Sequence, residues 1–208
     1  MYNPSDSIFL KILIVGDPMV GKTSILNQFC YKRFDENTRP TIGCDFSTTL
    51  HKKDDQIIKA QFWDIAGQEK FHSVSKMYVR GAQGCLIVCD ITNEFSLQST
   101  LKWKELIEID KKDDGIPIIL VQNKKDLIPQ KEEELKEHMK KDFLENFSKE
   151  NKFLSCLQTS AKTAEGLENV FDILIDEILK RRIQTSNREE GTKLYNLKKR
   201  EKKEGGCC

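Results

Sequence analysis

Gly16-Asp17-Pro18-Met19-Val20-Gly21-Lys22-Thr23 has the residue types and spacing of a loop that holds phosphate. Its glycines let the backbone wrap closely, so that successive N–H groups can point at phosphate oxygens. A helix starting at Gly21 would add partial positive charge. Lys22 brings a full charge to the outer phosphates, and Thr23 offers a hydroxyl to Mg²⁺. Pro18, Met19, Val20 and Ser24 complete the expected phosphate wall, with Pro18 lacking an N–H to donate. The pattern specifies a nucleoside triphosphate and leaves the base open.

A second cluster is Trp63-Asp64-Ile65-Ala66-Gly67-Gln68-Glu69. Asp64, at the end of a strand-like run, suits a carboxylate serving Mg²⁺. Gly67 can present its N–H to a γ-phosphate, and without a Cβ it can flip when that phosphate leaves. Gln68 can orient a water for in-line attack, because its amide both donates and accepts. Thr41 sits in the proline-marked loop Thr38-Arg39-Pro40-Thr41-Ile42-Gly43. A loop threonine that reaches Mg²⁺ only when the γ-phosphate is present is a switch.

Two further loops suit a purine. Asn123-Lys124-Lys125-Asp126 follows an apolar strand. The Asp126 carboxylate can accept two N–H bonds from guanine N1 and N2, a donor pair that adenine lacks. Lys124 can cover the base with its aliphatic stem. In Thr159-Ser160-Ala161-Lys162, the Ala161 N–H can meet guanine O6, and Phe34 can pack on the ring. Each segment alone is an ordinary polar loop. Their joint occurrence, in order at successive strand ends, points to GTP or GDP.

The elements that must position these loops alternate between strand and helix. Strands are expected at 9–15, 44–51, 57–64, 84–90, 116–122 and 153–159. Helices are expected at 21–30, 94–110, 131–150 and 167–183, with Leu97, Leu101, Trp103 and Ile107 on the inner side of the second. This is an α/β pattern: a mainly parallel six-stranded sheet with helices on both faces and about five helices in all. Right-handed crossovers place the ligand loops at the strand C-termini. Domain organisation follows: a short extension at 1–7, a nucleotide-binding domain at 8–183, and a polar, locally basic segment at 184–208 expected to be a flexible linker.

Composition excludes several classes. A formal net charge of +1 on 208 residues gives no global basic field for nucleic acid. No apolar run approaches the roughly 20 residues that span a bilayer, and the first residues lack a secretory pattern, so a cytosolic chain is expected. Cys85 and Cys89 fall in an apolar run and Cys30 ends a helical stretch, which reads as reduced thiols near the core. His51, His72 and His138 show no zinc spacing and are expected at the surface.

The chain resembles the Ras-like small GTPases, and among them the Rab family, over about residues 8–183. Five nucleotide motifs carry the likeness. Ile42-Gly43-Cys44-Asp45-Phe46, Lys59-Ala60-Gln61-Phe62-Trp63-Asp64 and Met77-Tyr78-Val79-Arg80-Gly81-Ala82 are similar to Rab switch and interswitch segments. Ile65 stands where Thr is usual. The resemblance implies GTP hydrolysis with slow intrinsic rate, Mg²⁺ held by Thr23, Thr41 and Asp64, and an effector surface of Ile42, Phe46, Trp63 and Tyr78. It also implies an exchange factor, a GTPase-activating protein, a monomeric nucleotide-binding domain and a role in vesicle traffic. Gly205-Gly206-Cys207-Cys208 is similar to Rab tails that carry two prenyl groups on such cysteines. Two lipid chains make a stable anchor where one is marginal, and nearby lysines add attraction to anionic lipid. The location implied is the cytosolic face of an endomembrane, with a pool bound to a prenyl-tail chaperone. Two rival readings stay open at this point: a nucleotide-locked scaffold that no longer hydrolyses, and an ATPase or nucleotide kinase, against which Asp126 argues.

Overall fold

The computed structural model describes residues 7–53, 56–67, 76–109 and 115–204, with backbone alone at 76, 77, 132 and 186–204. Gln68, Cys207 and Cys208 lie outside the described residues. Six strands form one sheet: β1 (Ile8–Val15), β2 (Cys44–Lys53), β3 (Gln56–Ile65), β4 (Gly84–Asp90), β5 (Ile118–Asn123) and β6 (Ser155–Gln158). Their spatial order is β2-β3-β1-β4-β5-β6. Only the β2–β3 pairing is antiparallel.

The helices are α1 (Lys22–Tyr31), α2 (Lys76–Val79), α3 (Glu94–Glu108), α4 (Lys141–Glu150) and α5 (Leu167–Glu204). Strands β1, β4 and β5 are near-continuous apolar runs because helices cover both their faces. Side chains alternate along them. Leu10, Ile12 and Ile14 of β1 join Phe62, Val88 and α5's Phe171, Leu174 and Ile178 in one core. Leu13 and Val15 face the other core, with Cys85, Ile87 and α3's Trp103 and Ile107. Phe171 anchors the first core, stacked on Phe29 with ring centroids 3.6 Å apart and edge-on to Phe62 at 5.0 Å. Truncating such a ring to Ala typically costs about 3–5 kcal/mol. No helix among the described residues is long and apolar enough to cross a membrane.

Strands β3 and β4 flank β1, so the chain reverses its direction of growth across the sheet there. Loops leaving the C-terminal ends of neighbouring strands diverge at such a point and open a crevice.

The fold departs from the sequence expectations in three places. Residues 131–150 are not one helix. Short 3₁₀ turns at Glu132–Glu134 and Glu137–Met139 precede α4. Here Gln122 Nε2 donates to the His138 carbonyl at 2.7 Å, and Gln158 Nε2 donates to the Met139 carbonyl at 2.7 Å. Side chains of β5 and β6 thus capture the carbonyls that a continuing helix would use. The same docking buries His138, which is 3 % exposed instead of at the surface, with Nδ1 3.6 Å from Glu94. Finally, α5 does not stop near Ile183 but runs to Glu204, where a flexible linker was expected. Residues 184–204 contain no proline and are rich in Lys, Arg and Glu, which favour helix.

Candidate functional site

The loop from Gly16 to Gly21 turns sharply enough that its ends require glycine. Gly16 has φ +145°, and a Cβ there would meet the Val88 carbonyl oxygen at 2.2 Å. Gly21 has φ +96° and precedes α1, whose first residue is Lys22. Lys22 is 5 % exposed, and its ammonium donates to the Gly16 and Asp17 carbonyls at 2.9 Å each. Burial pulls its pKa down, while the Asp64 and Asp17 carboxylates act the other way. A cation is therefore held at the mouth of a ring of main-chain groups, the arrangement that suits phosphate.

Next to it, three oxygen-bearing side chains from separate elements meet. Thr23 Oγ1 donates to Asp64 Oδ2 at 2.5 Å and shares a 2.7 Å hydrogen bond with Thr41 Oγ1. Thr41 Oγ1 also lies 3.2 Å from Asp64 Oδ2. Asp64 Oδ1 is buried with no hydrogen-bond partner. Burial raises the Asp64 pKa, opposed by the two threonine hydrogen bonds and Lys22. Hard oxygen donors beside an unsatisfied carboxylate oxygen fit Mg²⁺, which takes one or two protein ligands and completes its shell with phosphate and water.

The two loops that the sequence assigns to a base are cross-braced. Asn123 Nδ2 donates to the Val20 carbonyl at 3.0 Å, and its Oδ1 accepts from the Ala161 N–H at 3.1 Å. One side chain therefore ties the phosphate loop to both later loops. Ser160 Oγ donates to Asp126 Oδ1 at 2.5 Å, which fixes that carboxylate. Lys124 adopts φ +67°, pairs with Asp90 at 2.6 Å and lines the cleft.

These loops enclose a cleft of about 320 Å³ lined by Pro18, Met19, Gly21, Lys22, Thr23, Ser24, Phe34, Thr41, Gly67, Asn123, Lys124, Asp126, Ala161 and Lys162. Val20, Asp64 and Ser160 stand behind that wall, acting through Asn123, Thr23 and Asp126 respectively. Thr38, Arg39 and Pro40 of the Thr41 loop also line the cleft, as do Asp35, Glu36 and Leu127, which the sequence did not point to. Glu36 accepts from Lys162 at 2.7 Å, which bridges this loop to the base side and raises the Lys162 pKa.

Outside the cleft, Phe46, Trp63 and Tyr78 form a chain of rings with centroids 5.5 Å and 6.3 Å apart. Phe46 is 60 % exposed and Ile42 94 % exposed, while Trp63 and Tyr78 are half-buried. The Lys11 ammonium sits 4.0 Å from the Trp63 ring centroid and donates to the Arg80 carbonyl. Such aromatics beside loops make strong contact anchors.

Comparison with known proteins agrees with this geometry. The Ras family model matches residues 11–180. The chain is 34% identical to the human Ras-related protein Rab-7L1 over 181 residues, covering 84% of each protein. It is 34% identical to the Ras-related protein RabC of Dictyostelium discoideum over 98% of this chain and 99% of RabC. With the Ras-related protein Rab-11C of the same organism, identity is 41% over 81% of this chain and 71% of that one. With a family match over most of the domain and Rab relatives along most of the chain, the protein belongs to the Rab branch of the Ras family, small GTPases that bind GTP and hydrolyse it to GDP.

Proposed function

We propose that this GTPase is a lipid-anchored switch in vesicle or organelle traffic that recruits effectors in its GTP state. In this reading Lys22 and the loop amides from Met19 to Ser24 hold the phosphates, with Pro18 in the loop wall and no N–H to give. Asp126 selects guanine, Ala161 serves its O6, and Lys124, Phe34 and Lys162 border the base. The Thr23 and Thr41 hydroxyls and the Asp64 carboxylate would hold Mg²⁺, which when bound offsets the charge of the β- and γ-phosphates. Gln68 orients the attacking water, and Gly67 senses the γ-phosphate through its N–H. No arginine in the motifs is an evident finger in cis, so an activating protein should raise hydrolysis by roughly 10³–10⁵.

The observation that best supports a switch is the position of Thr41. It belongs to the loop before β2, yet its hydroxyl meets Thr23 and Asp64 across the cleft. A loop tied to the nucleotide site at that point changes with the terminal phosphate. The adjoining strand carries Phe46, and β3 carries Trp63, so the proposed effector surface of Ile42, Phe46, Trp63 and Tyr78 continues from the same loop. Cys207 and Cys208 supply the anchor, with exchange factor, activating protein and prenyl-tail chaperone as partners.

The test follows the tagged full chain in its native cells, beside a Cys207→Ser/Cys208→Ser variant and a Gln68→Leu variant. Membrane pelleting should be lost in the first and strengthened in the second. Identical diffuse distribution of all three would defeat the proposal. Single-turnover hydrolysis of the Gln68→Leu protein at the wild-type rate would instead favour a nucleotide-locked scaffold.

A further inference from the structure

Asp17 is a carboxylate in a loop that must gather phosphates, the wrong charge for that place. The loop residues after it, Pro18 and Met19, line the cleft; Asp17 does not. Its Oδ1 instead accepts a hydrogen bond of 2.9 Å from Trp103 Nε1. Trp103 belongs to α3 and is 1 % exposed, packed in the core on the far side of the loop. The indole N–H can only donate, so its acceptor is held at a fixed place. Meanwhile the Asp17 carbonyl faces the other way, accepting from Lys22 and abutting Gly67.

We infer that Trp103 is a positioning residue for nucleotide binding, holding the Asp17 carboxylate behind the phosphate loop so that its main chain serves the cleft while the carboxylate stays out of it. The inference rests on the nucleotide reading of the cleft. Between buried groups, like charges a few ångströms apart repel far more strongly than in water. A carboxylate released from the indole could swing toward the phosphates, and the γ-phosphate would suffer most, because Asp17 abuts Gly67. Burial already pushes the Cys89 thiol upward, and the charges of Asp90 and Asp17 push it further. The Asp17 charge is thus felt in the core behind the loop as well as at Lys22.

The test measures dissociation of fluorescent GDP and of a fluorescent non-hydrolysable GTP analogue from the full chain. Trp103→Phe keeps a ring in the core and removes the N–H. Release of the GTP analogue should quicken about tenfold, the scale of one charge-assisted hydrogen bond, and GDP release by less. In an Asp17→Asn background the charge is gone, and adding Trp103→Phe should alter either rate less than about twofold. A purely packing role for Trp103 would give the same acceleration in both backgrounds, and that result overturns the inference. So does an unchanged rate when Asp17 is present. Should Trp103→Phe fail to fold, Asp17→Glu leaves the core untouched and pushes the carboxylate past the indole, and it should show the same GTP-selective release. Equal effects on both nucleotides, or none, would count against the inference. Failure of the wild-type chain to bind either nucleotide would sink the nucleotide reading instead.

Discussion

Gly67 lies flat against the Asp17–Pro18 peptide. A Cβ on Gly67 would come 2.4 Å from the Pro18 nitrogen, 2.5 Å from the Asp17 carbonyl carbon and 2.7 Å from its oxygen. All three are main-chain atoms of the phosphate loop, so nothing there can rotate away. Glycine is required by contact, since Gly67 is not among the residues with positive φ.

Gly67→Ala should therefore wedge the Ala66–Gly67 segment away from the phosphate loop. Overpacking of this kind costs about 1–3 kcal/mol, and it falls on the state that brings the two loops together around a γ-phosphate. The preference for a GTP analogue over GDP, measured by calorimetry, should drop about tenfold, while GDP affinity changes little. An unchanged ratio would mean that the two loops are not brought together by the terminal phosphate.

Asp126→Asn should weaken GTP while leaving ATP binding as poor as before. The 2.5 Å bond from Ser160 holds the carboxylate in place, which would preorganise the proposed acceptor pair for guanine. Replacing one acceptor oxygen by an amide donor sets donor against donor at the base, and the GTP-over-ATP preference should fall about 10³-fold in a competition assay. Ser160→Ala only loosens the carboxylate, and it should cost about 1 kcal/mol of guanine affinity.

Asp64 makes the empty protein pH-sensitive. Its pKa is raised by burial. Stability from this group is therefore complete below its ordinary value of about 3.8 and is lost as pH rises through the raised folded-state value. At neutral pH the ionised carboxylate is a cost to the nucleotide-free fold. Asp64→Asn should therefore raise the Tm of nucleotide-free protein at pH 7 by a few degrees, with the difference shrinking as the pH falls toward 4. The same variant should lose the stabilisation that Mg²⁺ and nucleotide give the wild type. A nucleotide-free Tm lowered at pH 7 would contradict the sign.

The thiols beside the switch should be slow to alkylate. Burial first, then the Asp64 and Asp45 carboxylates, push Cys44 up to about 11, with Lys11 acting the other way. Burial pushes Cys30 up to about 11 as well, opposed by Lys32. Since the thiolate is the nucleophile, iodoacetamide at pH 8 should label both about a hundredfold more slowly than an ordinary peptide thiol. Mass spectrometry across pH 8–10 should show labelling rising about tenfold per unit. A flat profile would show that these thiols are not held in the folded environment described.

What the sequence revealed was local, and what it hid was long-range. β1, β4 and β5 were legible because each is a continuous apolar run, and the phosphate loop because its spacing is self-contained. Asn123, Lys124 and Asp126 were legible as a unit, though the bracing of Asn123 to Val20 and Ala161 was not, since it joins three loops. The turns before α4 escaped because Gln122 and Gln158 act from other strands. Trp103 read as a core residue, correctly, but its bond to Asp17 spans 86 positions and has no local sign. A buried indole that must donate somewhere was the one available hint.

The long last helix has a mechanical meaning. Twenty-one residues of random coil would wander with an end-to-end distance of about 25 Å and could shrink to almost nothing. As α5 runs on from Ile183 to Glu204, the same residues form a strut about 32 Å long. A strut does not collapse as a coil does, so the last turn of α5 is held at a set distance from the nucleotide cleft and can swing only through a narrow range of angles.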